Sequence, residues 1–234
     1  MFGLEVDGKR ENLRFVSVAK AKELESELVG QGHTVAIFEY SVTEVEAMAR
    51  EAADHAFMSL GVQYYIAARS AAWAGLLPVC GNLYHHSVEM FLKSGLVRKY
   101  GLLDLRRRFG HKLPVLWDEF KKEFPSPGLT QFDTAIADIE EFEDVRYPDK
   151  ILKHGAQMVV DFRGTPAAPN PPSPSTQKEP LYKFYFDDID RLIGEIFTAA
   201  SRNPLFFTSG LKAEVKELLA RGNPVAAQLL PPSS

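Results

Sequence analysis

Three groups of residues in this sequence have types and spacings that suit chemistry. His85, Glu89 and Lys93 recur at four-residue steps, which stacks them on one helix face. A histidine with a carboxylate four residues on can bind zinc, but two protein ligands do not complete a site. The line therefore reads first as a polar seam, with Glu89 and Lys93 paired where this helix meets a neighbour. His86 points elsewhere. Arg106, Arg107 and Arg108 form a local basic run, and His111 follows closely. Together they could contact a phosphate or a base; the plainer reading is a solvated basic loop beside a first-turn histidine. Arg146, Tyr147 and Asp149 surround Pro148 at the end of an acidic stretch, with His154 beyond. They could hold a phosphate or order a dimer groove, or Arg146 could pair with Glu143 at a helix end.

Composition narrows the classes. The chain has 234 residues, 45% hydrophobic and 25% charged, enough for a substantial core. A net charge of −4 supplies no general basic field, so nucleic-acid contact would need a local patch. Cys80 is the one cysteine, which excludes an intramolecular disulfide and a multi-cysteine zinc site and fits a reducing compartment. Its apolar setting reads as a small buried residue, not a nucleophile. There is no phosphate-cradling glycine loop, no Gly-x-Ser-x-Gly and no His-Glu-x-x-His. No apolar run reaches transmembrane length and no signal-type segment opens the chain, so a cytoplasmic protein without membrane partner, cofactor or metal centre is expected.

The expected fold is mainly α: an up-and-down helical bundle with a small β-hairpin insert and a small N-terminal α/β arm. Residues 1–40 form the arm, with strands at 2–6 and 13–18 around Asp7-Gly8-Lys9, a helix at 20–29 and a strand at 34–40. The bundle spans 41–234. Thr43 and Glu46 fit a capping box for a helix running to about Leu60, and Gly61 separates it from a second at 62–77. Pro78 breaks the chain before the central helix, Val79–Val97, whose Leu83, Tyr84, Val88, Phe91 and Leu92 form a core stripe. Gly95 and Gly101 allow its exit. Helices follow at 112–124 and 130–145; on the latter, Asp138, Glu140, Glu141 and Glu143 make an acidic surface. The insert, 156–186, pairs strands at 158–162 and 181–186 across a proline-rich loop at 164–180, which holds six of the fifteen prolines. Helices at 189–201 and 211–221 complete the bundle.

Three of these stretches recur in order: Leu83-Tyr-His-His-Ser-Val-Glu-Met-Phe-Leu-Lys93, Gly110-His-Lys-Leu-Pro-Val-Leu116, and Phe142-Glu-Asp-Val-Arg-Tyr-Pro-Asp149. The series resembles the HEPN (higher eukaryotes and prokaryotes nucleotide-binding) domain family, over roughly residues 55–200. The resemblance implies a helical bundle, commonly a homodimer, with nucleotide- or RNA-linked roles beside defence or toxin–antitoxin partners. With the residue patterns above, the binding candidates are Arg146, Tyr147, Asp149, His111, Arg106, Arg108, Glu89 and Lys93. The family's ribonucleases pair an arginine with a histidine after four to six residues. Seven residues, Pro148 among them, separate Arg146 from His154, so the expectation is a non-catalytic binding component. Two alternatives stay open: a metal-independent ribonuclease using Arg146 with His154 or His111, and a protein-interaction module using loop 164–180.

Overall fold

A computed structural model describes residues 1–146, 149, 152, 158–162 and 182–232, leaving aside the side chains of Asn12 and Arg146. Among the described residues the chain is mainly helical, with two small sheets, and it divides into two compact units, Met1–Ala52 and Ala53–Ser234.

In the first unit, strands β1 (Phe2–Val6), β2 (Lys9–Phe15) and β3 (Val35–Glu39) form an antiparallel sheet in the order β2-β1-β3. Asp7 and Gly8 both take positive φ, at 49° and 79°, which matches a two-residue hairpin turn to the twist of its strands. β2 therefore starts directly at Lys9, earlier than the expected Leu13. The Asp7 carboxylate also accepts from the Thr34 amide at 2.9 Å and meets His33 Nδ1 at 2.8 Å. Helix α1 (Val18–Gly30) is capped by the Ser17 hydroxyl.

Helix α2 (Val42–Trp73) is continuous, and the boundary between the units falls within it. Its capping box is Ser41 with Glu44, two residues before the expected pair: Ser41 Oγ accepts from the Glu44 amide, and Glu44 Oε2 accepts from the Ser41 amide. Gly61 does not interrupt it. A Cβ there would lie 2.5 Å from the Phe91 ring, and the Gly61 carbonyl accepts from Ser87 Oγ at 2.9 Å. The missing side chain is a seat for a neighbouring ring, not a break. Gly61→Ala is accordingly expected to destabilise by about 1–2 kcal/mol, because overpacking outweighs the gain of roughly 1 kcal/mol in helix propensity. A lowered urea midpoint at constant slope would show it.

Helix α3 (Leu77–Asp104) begins with Pro78 in its first turn, where a missing amide costs nothing. Gly95 lies within it, packed under Phe120, and does not mark an exit; the departure comes at Gly101, with φ 73°. Tyr84, Val88, Phe91, Leu92, Leu96 and Val97 are buried, while Leu83 sits half-buried at the edge of the stripe. A π-helical turn (Leu105–Phe109) and Gly110 lead into α4 (Leu113–Glu123). A short 3₁₀ turn precedes α5 (Asp133–Glu140), and a 3₁₀ helix at Glu141–Arg146 continues it, so the expected single helix changes pitch midway.

Strands β4 (Met158–Asp161) and β5 (Tyr182–Tyr185) pair parallel, with Met158 opposite Tyr182. This corrects the expected hairpin: parallel neighbours need a crossover of a dozen or more residues, and the stretch between them is long enough to supply one. The loop 164–180 lies outside the described residues. Helix α6 (Phe186–Ala199) packs Ile189, Leu192, Ile193, Ile196 and Phe197 into the core. Then come α7 (Leu205–Thr208), α8 (Ala213–Ala220) and α9 (Ala226–Leu229), of which only α8 was expected. Among the described residues, no helix is long and apolar enough to cross a membrane.

Candidate functional site

Glu89 is the hub of the polar groups that α3 presents. Its side chain is fully buried. Oε1 accepts from Lys93 Nζ at 2.5 Å and meets His111 Nδ1 at 3.0 Å; Oε2 meets His86 Nδ1 at 3.3 Å. Burial would raise the carboxyl's pKa, but the hydrogen bonds from His86, Lys93 and His111 overcome it and hold the group down at about 2. A carboxylate so firmly ionised is a poor general base. It is an anchor. The expected Glu89–Lys93 pair is present, and His86 joins it instead of pointing elsewhere.

The anchor reaches the surface through His111. Gly110, at φ 55°, turns the chain between the π-helical turn and α4, and the His111 side chain is 62% exposed. With Nδ1 engaged by Glu89, the Nε2 edge is left to meet a ligand. Arg106, Arg107 and Arg108 are exposed just before that turn, and the Arg108 guanidinium lies 5.4 Å from the centre of the Tyr100 ring.

His85 is buried on the other side of the α3 polar line. Its Nε2 lies 3.2 Å from Glu140 Oε2, which also accepts from the Leu113 amide at the start of α4. Its Nδ1 makes no hydrogen bond and faces Glu143 Oε2 at 3.5 Å. Both glutamates were expected on a solvated acidic face. Glu140 ends α5 and Glu143 follows one 3₁₀ turn later, and residues three apart share a face in either pitch, so both turn toward α3 together. The sequence signal was a histidine beside the core stripe, which needs partners.

A second buried network lay beyond sequence reasoning. Arg69 Nη1 donates to Asp190 Oδ2 at 2.5 Å, Tyr65 donates to Asp190 Oδ1 at 2.5 Å, and Asn223 Nδ2 donates to the Tyr65 hydroxyl at 2.8 Å. Arg69 also donates to the carbonyls of Leu218 and Arg221. Arg69 borders a cavity of about 290 Å³ lined by Trp73, Tyr84, Phe162 and Phe186. The Cys80 thiol is fully buried, and burial pushes it up to about 12.

The structure brings Glu89, Lys93 and His111 together and sets Arg106 and Arg108 close along the chain. Tyr147, His154 and the Arg146 side chain lie outside the described residues, and Asp149 is exposed. No family model, curated protein or solved structure matches the chain.

Proposed function

We propose that this chain is a HEPN-like helical protein that binds single-stranded RNA, without cleaving it, through phosphate contacts at residues 106–111. The observation that carries the reading is the Glu89–His111 pair: a buried, fully engaged carboxylate holds an exposed imidazole at the end of a run of three exposed arginines. An acidic chain gains nucleic-acid affinity from such a local cluster, because each phosphate neutralised releases counterions. The Gly110-His111 element and the Glu89–Lys93 pair are also two of the three motifs on which the family resemblance rests, the third being Arg146-Tyr-Pro-Asp149.

Fluorescence anisotropy with a labelled RNA oligonucleotide across a salt series tests this. Arg106→Ala and Arg108→Ala should each weaken binding and flatten the slope of log affinity against log salt by about 0.7. Binding that stays the same when both arginines are removed would refute the assignment. One observation favours a second reading. Arg106 and His111 satisfy the arginine–histidine spacing of the family's ribonucleases, and the imidazole is held by a carboxylate. Metal-free cleavage of the same RNA, abolished in Arg106→Ala and His111→Ala with binding partly retained, would replace the binding reading with the ribonuclease.

A further inference from the structure

We propose a zinc site formed by His85, His86 and Glu143, none of them among the residues 106–111 proposed to contact RNA. One ring nitrogen from each histidine and one carboxylate oxygen lie within 4.8 Å of one another. The closest approach shown, His85 Nδ1 to Glu143 Oε2 at 3.5 Å, is near the roughly 3.3 Å that separates two ligands of a tetrahedral zinc with bonds of about 2.0–2.1 Å. The spacing is too long for a good hydrogen bond and suits two atoms that share an ion.

His85 Nδ1 carries the argument. It is completely buried, makes no hydrogen bond, and faces the cluster. A buried polar atom left in that state costs free energy that a bound cation would recover. The other ring nitrogen, Nε2, meets Glu140, which fixes the tautomer that leaves the Nδ1 lone pair free for metal. Glu89 plays the same outer role for His86. A histidine backed by a carboxylate is the usual arrangement around protein-bound zinc, and this site has it twice. The chemistry of the set also fits: two imidazoles and a carboxylate supply three zinc ligands and leave a fourth position for water. The His86 and Glu143 side chains keep 15% and 20% of their exposure, which gives ion and water a route in.

The competing account is a charged His85 that bridges Glu140 and Glu143 with no metal. The test uses the full-length chain without a histidine tag, stripped with chelator and titrated with zinc by calorimetry. Stoichiometric binding is expected, with affinity reduced at least about 100-fold in His85→Ala and Glu143→Gln and about 10-fold in Glu140→Gln. The zinc-loaded wild type should melt at a higher temperature than the stripped protein. If His85→Ala does not fold by circular dichroism, His86→Gln and Glu143→Gln carry the comparison. No stoichiometric binding overturns the site. So does binding unchanged in Glu143→Gln and His86→Gln, which would put the ion elsewhere. RNA affinity of the stripped wild type is expected to be unchanged, so the two assignments fail independently.

Discussion

Replacing Arg69 with methionine is expected to destabilise the unit Ala53–Ser234 by about 3–5 kcal/mol. Both members of the Arg69–Asp190 pair are almost wholly enclosed, with side-chain exposures of 2% and 0%. Methionine fills much of the same space, so the loss is chiefly electrostatic. It strands a carboxylate in the interior, still hydrogen-bonded to the Tyr65 hydroxyl but without its counter-charge. Burial already pushes the Asp190 carboxyl above its ordinary range, and the Arg69 guanidinium is the main opposing influence. The substitution also withdraws donors from the Leu218 and Arg221 carbonyls, which tie α8 to α2. For a unit of this size the cost corresponds to a melting temperature lower by about 6–20 °C. Joining it to Asp190→Leu should recover much of the loss, since an apolar pair of matched volume is often no worse than a buried ion pair. A double-mutant cycle from thermal melts reads this directly. Two single losses that simply add would mean that the pair contributes nothing as a pair.

Phe142→Ala is expected to cost a similar 3–5 kcal/mol, by a different route. The ring is fully buried, seated on α3 at Gly81 and packed on the rings of Tyr182 and Phe184. Its removal opens a cavity between α3, the 3₁₀ helix and the parallel strand pair. The discriminating measurement adds Gly81→Ala. Alone, that change drives a Cβ into the Phe142 ring and should destabilise by about 1–3 kcal/mol. In the Phe142→Ala background the obstacle is gone, and the same alanine should stabilise by up to about 1 kcal/mol through helix propensity. Guanidinium unfolding of the four proteins would reveal the change of sign. Destabilisation of equal size in both backgrounds would contradict the packing described.

The central helix was readable because its core stripe and polar line both follow the helical period, and both are local. Cap and turn chemistry was nearly so: the hairpin turn at Asp7-Gly8 was read but its second strand, which begins at Lys9, was placed four residues late, and the capping box lay two residues away because Ser41 and Thr43 offer equally good patterns. Gly61 and Gly95 misled for one reason. A glycine marks either a stop or a close approach, and only the ring across from it decides which. Glu140 and Glu143 hid within an acidic surface because what they face, His85 on α3 and, for Glu140, the Leu113 amide of α4, lies on other elements. Arg69 and Asp190 are 121 positions apart, and no spacing rule connects them. The pairing of β4 and β5 was misread as a hairpin for the same reason: a long connection serves either a hairpin or a crossover.

Cys80 has a practical consequence. The one sulfhydryl of this sequence is enclosed and held in its protonated, unreactive form, so maleimide dyes will pass it by in the folded protein. A cysteine introduced at an exposed position such as Lys112 or Val115 then becomes a unique attachment point on the natural background. A fluorophore or spin label placed there sits near His111 in the chain, where the proposed RNA binding can be tested without rebuilding the core.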